Sequence, residues 1–168
     1  IRAGHGGQMV EETKGRFRRV VPSPLPRRIA GIAAIRLLVE AGIVTICAGG
    51  GGIPVVRSPG GDLEGVEAVI DKDRAACLLA RDLDADVFLM LTDVDAVYAD
   101  WGTPQQKPIR KASPRTFAGL SFPAGSMGPK VEAACAFVAA TGGISGIGRL
   151  EDARAIIEGK AGTLVTPD

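Results

Sequence analysis

Residues 87–95 read VFLMLTDVD, an apolar run that turns polar after Leu91. Five consecutive apolar residues are typical of a short strand that is buried on both faces of a sheet. Thr92 and Asp93 then follow directly where this strand ends. Because open α/β sheets bind their ligands at the carboxyl ends of the strands, the stretch predicts a central strand and one wall of a ligand site.

Predicted helices and strands alternate on both sides of this stretch. Apolar residues recur at helical spacing in some segments, whereas short β-branched runs fit buried strands. In chain order we predict a helix between Pro26 and Gly42, a strand at 43–48, a helix after Asp73, a strand at 87–91, a helix from Ser126, a strand at 144–147, a helix at 150–157 and a strand at 162–165. This alternation predicts an α/β fold, specifically a three-layer αβα sandwich around a mostly parallel sheet.

The first 25 residues differ in composition from the rest. They contain glycines, three arginines (Arg16, Arg18 and Arg19) and all but the last residue of the segment Pro22-Ser23-Pro24-Leu25-Pro26. Proline fixes φ and removes a backbone donor, so this composition favours extended structure with interrupted hydrogen bonding. We therefore predict that residues 1–25 form an arm or the remnant of a protruding subdomain, and that residues 26–168 form the α/β domain.

The overall composition restricts the class of protein. A chain of 168 residues that is 46% hydrophobic can bury one substantial core. Its formal net charge of +1 gives no reason to expect nucleic acid or an anionic membrane as a partner. Three scattered cysteines among apolar residues are typical of reduced thiols and indicate a cytoplasmic protein. The apolar runs are far shorter than the ~20 residues of a membrane span.

The pattern of acidic residues and histidine predicts no protein metal site. His5 is the single histidine, so the chain offers neither a histidine-based zinc site nor a Ser-His-Asp set. The alternating acidic run at 82–86 suggests a calcium-binding EF-hand loop. That interpretation fails because Val87 lies where the loop needs glycine and Asp93 lies where it needs a bidentate glutamate.

Four consecutive glycines, Gly49, Gly50, Gly51 and Gly52, follow the predicted strand at 43–48. Without side chains, their backbone N–H groups could converge on phosphate oxygens, but a glycine run also serves as a plain tight turn. The residues leave both interpretations open. The run is not the dinucleotide-binding fingerprint, because Pro54 occupies the third glycine position, and the chain contains no P-loop motif.

Two lysines lie at the starts of predicted helices. Lys72 lies between Asp71 and Asp73, and Lys130 follows Pro129. For each lysine alone, a solvated side chain beside an ordinary helix start is the simpler interpretation, with Asp71 as the capping residue. The two lysines together suggest a phosphoryl-transfer site, because that reaction needs fixed positive charge beside the oxygens of the transferred group.

Five stretches, taken in order, resemble the carbamate kinases of the amino acid kinase family. They span nearly the whole chain, and their order is far more specific than any single stretch. They are Arg18 to Pro24 (RRVVPSP), Gly49 to Val55 (GGGGIPV), Gly65 to Asp73 (GVEAVIDKD), Leu91 to Tyr98 (LTDVDAVY) and Gly125 to Ala133 (GSMGPKVEA).

The resemblance implies a fold, a reaction and a site. The implied protein is a cytoplasmic homodimer of amino acid kinase-like αβα fold that transfers a phosphoryl group between ATP and carbamate with Mg²⁺, usually toward ATP in arginine catabolism. Lys72 and Lys130 would neutralise the transferred group, Asp73 would hold the lysines or organise the metal region, and residues 49–52 would cradle phosphate. The implied nucleotide pocket contains Thr92, Asp93, Val94, Tyr98, Met127 and Gly128.

The chain also departs from the family pattern. An opening strand, its glycine-rich turn and a further lysine of the substrate site would precede Ile1, and Ala30-Gly31 lies where an acidic residue is expected. We therefore expect the carboxy-terminal half, with weak nucleotide binding and little activity by itself. The alternative is a non-catalytic nucleotide-binding or assembly module. The 125–130 stretch and the Pro22-Ser23-Pro24 arm argue against a sister kinase that acts on an amino-acid carboxylate.

Overall fold

The computed structural model describes residues 8–122 and 126–168. Its strands are β1 (Gln8–Thr13), β2 (Arg16–Val20), β3 (Val55–Arg57), β4 (Leu63–Gly65), β5 (Val87–Thr92), β6 (Val97–Ala99), β7 (Lys107–Ile109), β8 (Lys111–Ala112), β9 (Ile144–Arg149) and β10 (Thr163–Val165). Its α-helices are α1 (Ile32–Glu40), α2 (Lys72–Asp82), α3 (Pro114–Ala118), α4 (Met127–Thr141) and α5 (Ala153–Ile157), and a single 3-10 turn (Leu150–Asp152) precedes α5.

The main sheet has four strands in the order β5-β9-β10-β8. β5 and β9 are parallel, with Val87 opposite Ile144 and Thr92 opposite Arg149. β10 runs antiparallel to β9 and parallel to β8, so the sheet is mixed. The other strands form three antiparallel pairs, β1-β2, β3-β4 and β6-β7. Residues 8–20 of the predicted arm thus form a hairpin, while the proposed boundary at residue 25 stays a prediction.

Helices cover both faces of this sheet. Side chains of a strand alternate between faces, and those of Ile147 and Phe88 pack with α2 and α4 in the main core. Gly146 lies on the opposite face, where a Cβ would come within 2.5 Å of Ile156 Cγ2 in α5. The missing side chain at Gly146 therefore lets α5 approach the sheet closely. This arrangement confirms the predicted three-layer α/β fold.

The predicted strand at 43–48 does not form. These residues pair with no strand among the described parts of the chain, and the side chains of Val44 and Ile46 are 95% and 100% exposed. A β-branched, apolar run becomes a buried strand only when neighbouring strands pair with its backbone and cover its faces. The sequence therefore marked a segment with strand character correctly, but the prediction of a paired strand in this chain was wrong.

Among the described residues, none of the helices combines the length and the apolar character that a membrane crossing requires.

Candidate functional site

A cavity of about 520 Å³ opens where β5 ends and where α2 and α4 begin. The position agrees with the general location of ligand sites at the carboxyl ends of parallel strands. Its lining is contributed by five parts of the chain: the start of α2, the segment from β5 to β6, the turn after β6, the segment after α3, and the start of α4. The lining residues are Asp71, Lys72, Asp73, Leu91, Thr92, Asp93, Val94, Ala96, Tyr98, Trp101, Phe122, Ser126, Met127, Pro129 and Lys130.

The charged part of this cavity is built around Asp73, which is only 7% exposed. Lys130 Nζ lies 3.1 and 2.9 Å from the two carboxylate oxygens of Asp73, and the Lys130 side chain is 12% exposed. Lys72 Nζ lies 3.6 Å from Asp73 Oδ2, yet the Lys72 side chain is 60% exposed. Two ammonium groups thus share one carboxylate, so these three side chains have a summed formal charge of +1, and the carboxylates of Asp71 and Asp93 also line the cavity.

The local sequence explains why these groups meet. Asp71 caps α2, because its Oδ1 accepts hydrogen bonds from the backbone N–H groups of Asp73 at 2.9 Å and Arg74 at 3.0 Å. Capping by Asp71 is the simpler interpretation of that residue, and it fixes Lys72 and Asp73 in the first helical turn. Arg74 also forms a 2.9 Å ion pair with Glu132 of α4, so the two helix starts are held side by side.

Both helices present their amino-terminal ends to the cavity. The N–H groups of a first helical turn have no partner within the helix and carry partial positive charge. Residues 71–73 at the start of α2 and Ser126, Met127, Pro129 and Lys130 at the start of α4 line the cavity. Asp71 already accepts the N–H groups of Asp73 and Arg74, whereas Ser126 makes no side-chain cap hydrogen bond, so the start of α4 is the end that adds to the charge of Lys72 and Lys130. The arrangement is suited to an anion such as a phosphate group.

The remaining wall is apolar and aromatic. The ring centroids of Tyr98 and Trp101 are 5.2 Å apart, with an interplanar angle of 60°. The Tyr98 hydroxyl donates a 2.8 Å hydrogen bond to Asp95 Oδ1, and Arg110 donates a 3.2 Å hydrogen bond to Asp95 Oδ2. The bond from Tyr98, with help from the Arg110 guanidinium, lowers the pKa of Asp95, and the same bond raises the pKa of Tyr98. Asp95 and Arg110, which do not line the cavity themselves, therefore hold the Tyr98 hydroxyl in place.

The glycine run lies elsewhere. Gly51 and Gly52 line a second cavity of about 470 Å³, whereas Gly49 and Gly50 line neither cavity. The N–H groups of Gly49 and Gly51 donate to the carbonyl oxygens of Cys47 and Ala48, at 2.7 and 2.9 Å, so two of the four amides are used within the turn itself. Their role as a phosphate cradle stays a prediction.

The structure brings together most, but not all, of the remaining predicted site residues. Lys72, Asp73, Thr92, Asp93, Val94, Tyr98, Met127 and Lys130 line the first cavity, and Gly128 does not. Sequence reasoning missed Trp101 and Phe122, which also line it. The available signal was a single tryptophan in an otherwise polar loop, three residues after Tyr98.

Comparison with known proteins agrees with this architecture. Residues 3–147 match the model of the amino acid kinase family. The chain is 51% identical over 162 residues to a carbamate kinase of Rhizobium meliloti, covering 95% of this chain and 50% of the relative. It is 54% identical over 151 residues to a carbamate kinase of Haemophilus influenzae, covering 90% of this chain and 49% of the relative.

A solved structure gives the same result. The carbamate kinase from Giardia lamblia bound to AMP-PNP superposes with a TM-score of 0.90 at 38% identity, over 97% of this chain and 52% of that chain. The chain thus spans about half the length of the relatives it matches. Since the family match covers most of the sequence, the chain belongs to the amino acid kinase family.

Proposed function

We propose that this chain forms the nucleotide half of a carbamate kinase, which converts ADP and carbamoyl phosphate to ATP and carbamate. In this reaction a β-phosphate oxygen of ADP bonds to phosphorus, and the bond from phosphorus to the carbamate oxygen breaks. The observation that supports the proposal most strongly is the cluster of Lys72, Lys130 and Asp73 at two helix starts in one cavity. The carbamate kinase relatives, one of them bound to AMP-PNP, support the choice of reaction.

Each member of the cluster has a proposed role in phosphoryl transfer. Such transfer depends on positioning and on electrostatic stabilisation rather than on a covalent protein intermediate. Lys72, which is largely exposed, is free to follow a phosphate group, whereas Lys130 is held by Asp73 in a fixed position. We propose that the lysines neutralise charge on the transferred group and that Asp73 keeps Lys130 oriented.

Mg²⁺ would enter as part of the nucleotide substrate. Within residues 8–122 and 126–168 no three His, Cys, Asp or Glu side chains are grouped as a metal site. Magnesium ions in kinases are held largely by the phosphate oxygens of the substrate, with few protein ligands. The proposed substrate is accordingly MgADP or MgATP, and the lysine cluster binds the phosphate oxygens that the ion leaves free.

The proposed site needs further contacts for the carbamate end. This chain spans half of its relatives, so we propose that the rest of the substrate site is contributed by the other half of the family's fold. Homodimer formation and a cytoplasmic location are part of the same proposal. The exposed side chains of Val44 and Ile46 favour one alternative function, a nucleotide-binding assembly module without catalysis of its own.

ATP formation from carbamoyl phosphate and MgADP tests the proposal. The wild-type chain is compared with Lys72→Ala, Lys130→Ala and a matched control, Lys160→Ala, which removes an exposed lysine that pairs with Glu158 outside the cavity. We expect the turnover of the wild-type chain, which is low without the other half of the fold, to fall further by about 100- to 1000-fold in each cluster variant and to stay unchanged in the control.

Two other outcomes are decisive. Bound MgADP without turnover would support a nucleotide-binding half that needs the rest of the family's fold for catalysis. Absence of both turnover and MgADP binding, in a chain whose circular dichroism shows it to be folded, would contradict the nucleotide site itself.

A further inference from the structure

A ribbon of two antiparallel strands carries one part of the cavity wall. It consists of β6, β7 and the turn between them, residues 97–109, and its residues Tyr98 and Trp101 line the cavity. Every residue from 100 to 108 is exposed, so the outer part of the ribbon extends into solvent. The position of this wall therefore depends on how the base of the ribbon is attached to the main sheet.

The base of the ribbon is held by one buried hydroxyl group. Thr163, at the start of β10, is 0% exposed. Its Oγ1 accepts the N–H of Val97 at 2.8 Å and donates to the carbonyl oxygen of Ile109 at 2.5 Å. Val97 and Ile109 face each other in the ribbon, so a single side chain bonds to both strands at the same position.

The other contacts of the base are more exposed to solvent. Arg110 donates to the carbonyl oxygen of Gly162 at 3.4 Å and to Asp95 at 3.2 Å. The N–H of Leu164 donates to the carbonyl oxygen of Arg110 at 2.9 Å. The Arg110 side chain is 52% exposed, and solvent weakens ion pairs at such positions. Since no water can replace the buried hydroxyl, the loss of Thr163 Oγ1 should affect the ribbon most.

Thr163 acts on the cavity through the backbone. It does not line the cavity itself, and Val97, which it holds, does not line it either. The two neighbours of Val97 in the chain, Ala96 and Tyr98, both line the cavity. A displacement of Val97 is therefore passed on directly to the wall.

We propose that Thr163 is a positioning residue of the nucleotide site. Its hydroxyl fixes the ribbon and thereby holds Tyr98 and Trp101 at the separation from the helix starts that a bound nucleotide requires. The phosphate end of the cavity is built by α2 and α4 instead. Thr163 therefore affects the binding of the nucleoside part and leaves the binding of the phosphate groups unchanged. This inference rests on the proposed function.

Calorimetry with MgADP and with magnesium pyrophosphate, which lacks the nucleoside, separates these two parts. Thr163→Val replaces the hydroxyl by a methyl group of similar size, and Thr163→Ser keeps the hydroxyl. We expect Thr163→Val to bind MgADP about three- to tenfold more weakly and to bind pyrophosphate within about twofold of wild type. Thr163→Ser should bind both ligands like wild type. Thr163→Cys, whose thiol is a weaker donor and acceptor, should lie between them and gives the same comparison if Thr163→Val does not fold.

Ser145→Ala is the matched control. Ser145 is also 0% exposed, and its hydroxyl donates to the carbonyl oxygen of Phe88 at 2.8 Å, near the starts of β5 and β9. The substitution thus removes a buried hydroxyl of the same sheet that bonds outside the ribbon. Both Thr163→Val and Ser145→Ala should unfold at lower urea concentration than wild type, but only Thr163→Val should lose affinity for MgADP.

Amide hydrogen exchange measures the ribbon without a ligand. In Thr163→Val the amides of residues 97–109 should exchange about tenfold faster than in wild type, relative to the amide of Met90 in β5. In Ser145→Ala this ratio should stay unchanged. An unchanged ratio in Thr163→Val would show that the hydroxyl does not hold the ribbon, which overturns the inference.

The failures are distinguishable. If folded Thr163→Val binds MgADP like wild type, or loses affinity for MgADP and pyrophosphate to the same extent, the positioning role is overturned while the nucleotide site stands. If Ser145→Ala weakens MgADP binding as much as Thr163→Val, general destabilisation explains the loss and the role is again overturned. If neither ligand binds the folded wild-type chain, the proposed function fails and this inference fails with it.

Discussion

Tyr98 is the single tyrosine of the chain, and its hydroxyl is bound to the Asp95 carboxylate at 2.8 Å. This bond raises the pKa of Tyr98, because ionisation would remove the proton that the hydroxyl donates to Asp95; desolvation and the negative charge of Asp95 raise it further. We predict that the phenolate absorbance of the folded protein titrates above the ordinary value of about 10, and that Asp95→Ala lowers the midpoint toward it. An unchanged midpoint in Asp95→Ala would contradict the contact.

The same pair predicts how stability depends on pH. The pKa of Asp95 is lowered in the folded protein, so its contribution is present above the unfolded value of about 3.9 and is lost as the pH falls through the folded value. The pKa of Tyr98 is raised, so its contribution is present below about 10 and is lost as the pH rises through the folded value.

Urea unfolding of wild type and Tyr98→Phe over a range of pH measures this effect. The difference in unfolding free energy should be largest near neutral pH and should shrink at both extremes. A difference that stays constant with pH would show that the hydroxyl contributes nothing through Asp95.

At this scale the sequence predicts charged site residues better than aromatic ones. Lys72, Asp73 and Lys130 stand out because they follow helix-start signals, where side chains reach the edge of a sheet. Trp101 is conspicuous as the single tryptophan of the chain, but its sequence neighbours do not show whether the side chain lines the cavity, because the fold of its turn decides this. The ion pair between Asp95 and Arg110 joins residues 15 positions apart, and no local sequence pattern predicts such a contact.

The turn at residues 49–52 shows how one element depends on glycine. Gly51 has a φ of +131°, and a Cβ at this position would come within 2.1 Å of the carbonyl oxygen of Ile70. The turn thus packs its backbone against the segment that leads into α2 and its lysine. We predict that Gly51→Ala lowers the unfolding free energy by about 1–3 kcal/mol, through backbone strain and this overlap.

Gly50 provides the matched control in the same turn. Its φ lies outside the left-handed region, and a Cβ there would meet nothing within 4 Å. Gly50→Ala should therefore change the unfolding free energy by no more than about 0.5 kcal/mol. Equal effects of the two substitutions in urea unfolding would contradict the packing of the turn against Ile70.

All but one of the predicted helices and strands form, and the exception has a physical cause; the short strands β1–β4 and β6–β8 and the helix α3 were not predicted. α2 begins after a capping aspartate, α4 begins after Ser126 with Pro129 in its first turn, and β5 is a continuous apolar run. The segment at 43–48 has the same apolar character as β5. It forms no strand here because pairing requires neighbours that a local pattern cannot supply.

At the scale of the whole molecule, apolar surface is unevenly distributed. The main core buries Phe137 and Ile147 completely, while Val44, Ile46 and Ile53 are largely exposed. Apolar side chains grouped near one another in water favour association with other molecules. Since alternating helices and strands specify the fold class but not which faces are covered, the sequence predicts the α/β sandwich and not this exposed region.

This distribution predicts that substitutions of two isoleucines change the unfolding free energy by very different amounts. Ile46→Lys should leave the unfolding free energy within about 0.5 kcal/mol of wild type, because the side chain is fully exposed, and should reduce self-association in sedimentation experiments. Ile147→Ala should cost about 2–5 kcal/mol, because it leaves a cavity in the core. Marked destabilisation by Ile46→Lys would show that residues 43–48 are covered in this chain.

The nucleotide site is tested most directly by calorimetric titration of MgADP into the wild-type chain and into Lys72→Ala. Lys72 is 60% exposed, so its removal should leave the fold intact while it removes a charge from the proposed phosphate contact. We predict that the wild-type chain binds MgADP and that Lys72→Ala binds it about 10- to 100-fold more weakly. Equal affinity in the two proteins, or no binding by a folded wild-type chain, would contradict the assignment of this cavity.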